Sequence, residues 1–156
     1  MSTPETPEFS TSDGLFDAEA FNATMSSEGH SGWLGHRLHA SGEGWVELAM
    51  PWREDLVGDA ESGVLASGPV IALMDNAAGM SVWLKRGQFG PQVTLDLRVD
   101  YMRGARPGAT VIARCECYKL ARSVAFVRGI AYDDSPDDPL CHVAGTFMLL
   151  DAEAAA

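Results

Sequence analysis

The chain has few cysteines and few basic residues, and both shortages exclude classes of protein. Its three cysteines, Cys115, Cys117 and Cys141, form no CxxC pair, so we expect neither a disulfide framework nor a zinc site. Eleven Lys and Arg stand against 22 Asp and Glu, and the net charge of −11 argues against nucleic acid or an anionic membrane as partner. The first residues lack a basic stretch followed by an apolar run, so we expect no secretory signal and a cytoplasmic location.

Signals for metal or nucleotide chemistry are missing as well. The sequence contains no glycine-rich phosphate loop, serine-centred elbow or paired zinc motif. On a strand, His36 and His39 would point to opposite faces and could not converge on one ion. We therefore expect neither a metal nor a cofactor.

The most informative segment present is an apolar helix predicted after Ala66. Ser67 and Gly68 offer cap chemistry, and Pro69 suits the first helical position, where its missing N–H has no cost. From Val70 to Leu84 no face is polar, which predicts a helix wrapped on every side.

A carboxylate lies in the middle of this helix, at Asp75. The segment is too short, and too polar at Asp75 and Asn76, to span a bilayer. Burying an ionised carboxylate is costly unless the group is paired or has a chemical role. Asp75 is therefore the first candidate for function, although a structural carboxylate satisfied by a neighbour is the alternative.

The remaining pattern predicts an α+β protein in which an antiparallel sheet covers the helix. Residues 93–101 alternate apolar and polar side chains without a fault, which places Thr94 on one face with Asp96, Arg98 and Asp100. Other strands are predicted over residues 33–40, 45–50, 110–119, 123–132 and 141–150, and a short helix over 16–25.

The domain organisation is simple. Residues 1–14 are rich in Ser, Thr, Pro and Glu and predict a mobile tail. Residues 15–150 are long enough to form one domain, and residues 151–156 are expected to fray.

Two motifs carry a family resemblance. They are residues 68–77, GPVIALMDNA, and residues 93–102, VTLDLRVDYM, supported by residues 122–127 and 144–147. With the order of strands around the helix, they resemble the hot-dog fold and the acyl-CoA thioesterases of the phenylacetate-pathway type. The resemblance implies an antiparallel sheet around a long central helix.

The resemblance also implies roles for particular residues. The acidic residue of the central helix, nucleophile or general base in thioester hydrolysis, falls on Asp75. A hydroxyl that helps to hold the attacking water falls on Thr94, and an oxyanion-binding backbone N–H falls on Ser67 or Gly68. Such chemistry is coherent, because a helix N-terminus favours negative charge.

Substrate contacts are implied in the same way. Asn76 and Tyr101 lie within the two motifs and are predicted to contact the substrate. The implied substrate is an acyl-CoA, the implied assembly is a homodimer or homotetramer, and the active site is expected at the dimer interface. Basic residues at two turns are predicted to hold the coenzyme A phosphates, with solubilising turn residues as the alternative: Arg103, Arg106, Lys119 and Arg122.

The chain departs from the family at the start of the helix. Ala66-Ser67-Gly68 stands where His-Gly-Gly is usual, and Ala60, flanked by Asp59 and Glu61, stands where an amide is common. These differences favour a second hypothesis, a non-catalytic hot-dog module that binds an acyl thioester or acts as an assembly partner. A hot-dog dehydratase ranks lower, because no histidine lies on or beside the helix in the sequence.

Overall fold

The computed structural model describes residues 9–150 and confirms the α+β hot-dog architecture. Residues 1–8 and 151–156, which include most of the predicted tails, lie outside the described residues. The helices are α1 (Ala18–Met25), α2 (Gly29–Leu34) and α3 (Ser67–Arg86). The strands are β1 (Arg37–Gly42), β2 (Trp45–Met50), β3 (Val57–Asp59), β4 (Val64–Leu65), β5 (Gln92–Tyr101), β6 (Val111–Leu120), β7 (Val124–Tyr132) and β8 (Cys141–Leu149).

Six strands form one antiparallel sheet in the order β1-β2-β6-β7-β8-β5, and β3 and β4 form a separate hairpin. Helix α3 packs on one face of the sheet, mainly against β2, β6 and β7. Side chains from both layers are fully buried between them, among them Leu48, Leu73, Met74 and Met80. No helix in the described part of the chain is long and apolar enough to cross a bilayer.

Helix α3 begins and ends for identifiable reasons. Its N-cap is Ala66, which offers no side-chain hydrogen bond, so Ser67 and Gly68 are helical residues and not the cap that we predicted. Gly87 ends the helix with φ 70°, a left-handed conformation that glycine adopts without strain. Lys85 and Arg86 in the last turn complement the negative end of the helix dipole.

The prediction of a helix wrapped on every side is wrong along one stripe. Ile71 is 40% exposed and Asp75 is only half-buried, whereas Leu73 and Met74 are fully buried. Ser67, Ile71 and Asp75 follow one another at four-residue spacing and therefore share a face. Strand β5 is the last strand of the sheet on this side of the helix. The sheet therefore covers the other faces of α3 and leaves this face open.

The predicted strand over residues 33–40 is wrong at its start. Helix α2 occupies Gly29–Leu34, and β1 begins only at Arg37. Gly35 ends the helix at φ 77° and donates its N–H to the carbonyl oxygen of Gly32. A glycine at this position suits either a strand boundary or a left-handed helix end, so the sequence does not separate the two structures.

A β-bulge interrupts β5 between Thr94 and Asp96. Thr94 pairs with Phe147 and Asp96 with Thr146, so Leu95 is an additional residue in the ladder. The alternation of faces is reversed at that point. Thr94 consequently lies on the helix side of the sheet, not on the face of Asp96, Arg98 and Asp100 as the unbroken alternation predicted.

Candidate active site

Asp75 and Thr94 meet between α3 and β5. The Thr94 hydroxyl Oγ1 donates a hydrogen bond of 2.9 Å to Asp75 Oδ1. Asp75 Oδ2 accepts no hydrogen bond from any residue between 9 and 150, and it lies on the open face of α3. The carboxylate therefore has one oxygen held in position and one oxygen available to a water molecule or a carbonyl carbon.

The start of α3 presents two free backbone donors. The N–H of Ala66 donates to the Leu56 carbonyl oxygen at 2.9 Å, and Pro69 has no N–H. Of the first four N–H positions, only those of Ser67 and Gly68 remain, and they have no acceptor within residues 9–150. Both residues are exposed, and no atom from other parts of the described chain lies within 4 Å of the position that a Gly68 Cβ would take. Two adjacent N–H groups at the positive end of a helix can bind a developing oxyanion.

Tyr101 lies beside the same helix start. Its hydroxyl donates to the Ser67 carbonyl oxygen at 3.3 Å, and its side chain is 46% exposed. Burial and the nearby Cys141 raise the pKa of the Tyr101 hydroxyl, so it is a hydrogen-bond donor at neutral pH. The contact ties the end of β5 to the residue that carries one of the free amides.

The Asn76 side chain points away from this face, into a buried cluster. Its Nδ2 contacts Met25 Sδ at 3.0 Å, Ser31 Oγ at 3.2 Å and His36 Nδ1 at 3.1 Å. Burial, with a smaller effect of His30, lowers the pKa of His36 to about 4. The ring is thus neutral at pH 7.

His36 also corrects the expectation that no histidine lies beside the central helix. The structure brings it to Asn76 from a position 40 residues away in the chain. His36 is only 1% exposed, so it cannot reach a substrate.

Arg103 and Arg106, expected to hold phosphates, are engaged by carboxylates of the turn between β7 and β8. Arg103 donates to both oxygens of Asp133, at 3.1 and 2.7 Å, and its Nε lies 3.1 Å from Asp138 Oδ2. Arg106 Nη1 donates to Asp134 at 2.9 Å, and its backbone N–H donates to Asp133 at 2.7 Å. These contacts join the β5–β6 and β7–β8 turns and neutralise both guanidinium groups.

This network predicts a pH-dependent loss of stability. The Arg103 guanidinium, followed by the Arg106 N–H, lowers the pKa of Asp133 against the opposing effect of burial. The ionised form of Asp133 therefore stabilises the fold above its unfolded pKa of about 3.9, and this contribution is lost as the pH falls through the lower folded value.

Asp133→Asn should lower the free energy of unfolding at pH 7 by about 2 kcal/mol and flatten its fall below pH 4. Urea unfolding as a function of pH measures both effects. Asp137→Asn, in the same turn and outside the network, serves as control. An unchanged acid limb in Asp133→Asn would contradict the prediction.

The remaining candidates lie elsewhere on the surface. Lys119 and Arg122 are exposed near the β6–β7 turn and form no ion pair within residues 9–150. Asp59 accepts hydrogen bonds from Glu61 N and Ser62 N at 3.3 Å each, so it is engaged within the β3–β4 turn.

The cysteines are buried and unpaired. Burial raises the pKa of all three thiols, Cys115 most strongly, so none has the character of a nucleophile. In the described residues, no group of three His, Cys, Asp or Glu could hold a metal ion.

Comparison with known proteins gives the family. The model of the thioesterase superfamily matches residues 62–139, a range that contains α3, β5, β6 and β7. A Pseudomonas aeruginosa protein of known structure is 37% identical, with 83% of this chain and 96% of that chain covered and a TM-score of 0.74. The chain therefore belongs to the thioesterase superfamily.

Two further solved structures extend the comparison. The phenylacetic acid degradation protein PaaI of Thermus thermophilus is 28% identical, with 76% of this chain and 96% of that chain covered and a TM-score of 0.66. A Haemophilus influenzae thioesterase, 24% identical over 88% of this chain and 92% of its own, has the same fold with a TM-score of 0.76. No curated protein matches the chain.

Proposed function

We propose that the protein is an acyl-CoA thioesterase in which Asp75 is the general base or the nucleophile. The observation that carries this proposal is the Asp75 carboxylate, held by Thr94 on the open face of α3 in a chain of the thioesterase superfamily. No metal or cofactor takes part in the proposed reaction. The buried, unpaired thiols are compatible with a reducing cytoplasm.

The proposed reaction uses the two halves of the site differently. With Asp75 as base, the carboxylate takes a proton from water, and the oxygen of that water attacks the thioester carbonyl carbon. The N–H groups of Ser67 and Gly68 stabilise the oxyanion of the tetrahedral intermediate. Collapse of the intermediate breaks the carbon–sulfur bond, and the protonated Asp75 returns its proton to the thiolate, which leaves as free coenzyme A. With Asp75 as nucleophile, a mixed anhydride forms first and water then hydrolyses it.

The two halves of the proposed site lie far apart within one chain. Ser67 and Asp75 are eight residues apart on α3, and at about 1.5 Å per residue their backbones are roughly 12 Å apart. Reacting atoms must come within about 3–3.5 Å of each other. We therefore assign each active site to two copies, with the amides of one chain and Asp75 of its partner.

The surface next to Asp75 supports a second copy as the partner. Strand β5 is an edge of the sheet, and its ten residues pair on one side only. Unpaired edges of this length favour pairing with another strand. Large apolar side chains are exposed on β5, directly after it and on the neighbouring helix face, namely Ile71, Val93, Leu95, Tyr101 and Met102. Such a patch is typical of an interface. The proposed assembly is a homodimer, or a homotetramer built from two such dimers.

A mixing experiment tests the shared site. Asp75→Asn and Ser67→Pro chains should each be inactive, and dimers that contain one chain of each kind should regain about half of the wild-type rate. Each mixed dimer has two sites, and one of them is intact because it joins the amides of the Asp75→Asn chain to Asp75 of the Ser67→Pro chain. The two chains are co-expressed with different tags, and thiol release is measured on the doubly purified dimer. Inactive mixed dimers would place the whole site within one chain.

The phosphate-bearing end of coenzyme A is assigned chiefly to Lys119 and Arg122. Phosphates bind unpaired cationic side chains most strongly, and these two are exposed and outside the ion pairs of the described residues. Arg103 and Arg106 are neutralised by three carboxylates, so in this proposal they contribute by supporting the turn.

Ala66 favours the second candidate, a non-catalytic module that binds acyl thioesters. It occupies the position of the usual histidine and has no group that could orient a substrate. Thiol release from a panel of acyl-CoAs, measured beside equilibrium binding of the same compounds, separates the two functions. Turnover supports the enzyme, and binding without turnover supports the module.

A further inference from the structure

A cavity of about 330 Å³ opens on one side of the α3 start. Ser67, which carries one of the free amides, forms part of its wall. The other walls are largely apolar and come from three parts of the chain, including Leu65, Val70, Met102, Ala105 and Leu140. All of these except Met102 are buried. The cavity therefore brings buried apolar side chains next to a candidate oxyanion donor, and its exposed member, Met102, also belongs to the surface assigned above to the second copy.

A second cavity, of about 390 Å³, borders Gly68. Its lining is mostly apolar as well, but it includes His30, Asp55 and Trp33, a side chain that is 56% exposed. A thioester carbonyl bound at the two amides has an acyl arm and a sulfur arm that leave the carbon in different directions. The two cavities provide separate places for these arms, and the one beside Ser67 is the one walled chiefly by buried aliphatic side chains.

We propose that the cavity beside Ser67 and Val70 binds the acyl group of the substrate, and that this group is short, apolar and uncharged. This inference rests on the proposed thioesterase function and adds the class of acyl group to it.

The size of the cavity supports a short acyl group. Its volume lies near the lower end of the range of about 300–1,000 Å³ found for small-molecule sites. A long fatty acyl chain would not fit within this volume and would extend out of the cavity. The binding free energy of a hydrocarbon group against apolar walls becomes more favourable with the apolar area that is removed from water.

Charge excludes a carboxylated acyl group. Arg103 is the one charged side chain lining this cavity, and it already donates to Asp133 and to the backbone oxygen of Asp138 at 2.7 Å. A second carboxylate would have to displace those acceptors and would meet the buried Asp133 carboxylate. An uncharged acyl group has no such cost.

Two valine substitutions distinguish the two cavities. Val70→Ala enlarges the proposed acyl cavity, and Val57→Ala makes the same change in the second cavity. The kcat/KM of both variants is measured for straight-chain thioesters from acetyl-CoA to decanoyl-CoA and for succinyl-CoA. We expect Val70→Ala to favour longer chains by about tenfold or more over wild type. Val57→Ala should keep the wild-type ranking, and succinyl-CoA should be the poorest of the short substrates.

A shift in Val57→Ala alone, or preferred hydrolysis of succinyl-CoA, would overturn the inference. Binding separates its failure from that of the proposed function. Alkyl coenzyme A thioethers cannot be hydrolysed, and their dissociation constants should show the same chain-length shift in Val70→Ala. Binding with that shift but without turnover keeps the acyl cavity and rejects the enzyme. Absence of the shift in both measurements rejects the acyl cavity.

Discussion

Asp75→Asn is expected to lower kcat for thioester hydrolysis by about 10²–10⁴ and to leave the fold intact. The amide has nearly the shape of the carboxylate, and its oxygen can still accept the hydrogen bond from Thr94. What is lost is the group that takes a proton or attacks the carbonyl carbon. Release of free thiol from an acyl-CoA, measured under saturating substrate, gives the change.

Asp96→Asn is the matched control for Asp75→Asn. Asp96 lies on the same strand as Thr94, but after the bulge it belongs to the opposite face of the sheet. Its substitution removes one negative charge close to the site without touching α3, so kcat should stay within about twofold. Equal losses in the two variants would show that overall charge matters, and that Asp75 has no direct part.

Ser67→Pro is expected to lower kcat by about 10²–10³, the usual effect of removing one oxyanion donor. The substitution removes a backbone N–H that has no acceptor within residues 9–150. It also suits the backbone, because Ser67 is the first helical residue. Ala66 precedes it with φ −61° and ψ 151°, the extended conformation that a residue before proline prefers.

Ser67→Ala separates the backbone N–H from the side chain. Alanine removes the hydroxyl and keeps the N–H, so this variant should retain nearly the full rate. Its thermal unfolding, compared with that of Ser67→Pro, shows whether the helix start is intact. Equal rates in the two variants would show that the Ser67 N–H takes no part in the reaction and that Gly68 alone is the donor.

Sequence reasoning found α3 and its carboxylate because both are local features. An apolar run of this length, with Pro69 in its first turn and Gly87 after its last residue, favours a helix in almost any context. The placement of Asp75 within that run needed no tertiary information.

The orientation of Thr94, the hydrogen-bond partner of Asp75, could not be predicted from the pattern of residues in the strand. The family resemblance placed Thr94 beside the attacking water, whereas the unbroken alternation in β5 placed it on one face with charged residues. The bulge at Leu95 turns the Thr94 side chain toward the helix. A bulge depends on how β8 pairs along the strand, and pairing across 50 residues leaves no local signal.

The same limit applies to the basic turns and to the histidines. Arg103 and Arg106 are typical phosphate ligands in the sequence, but the fold brings Asp133, Asp134 and Asp138 against them. His36 is distant from α3 in the sequence and contacts Asn76 in the structure. The ion pairs between these turns and the burial of His36 both depend on the formation of the complete sheet.

The sequence determined the family, the α+β class, the central helix and the position of Asp75, because helix formation and motif spacing act over a few residues. The tertiary structure decided which groups can act together. In the folded chain, Thr94 donates a hydrogen bond to Asp75, and the N–H groups of Ser67 and Gly68 have no acceptor within residues 9–150. An apolar cavity also lies beside Ser67. The hydrogen bond and the cavity result from contacts between distant segments, which exist only once the sheet has formed against α3.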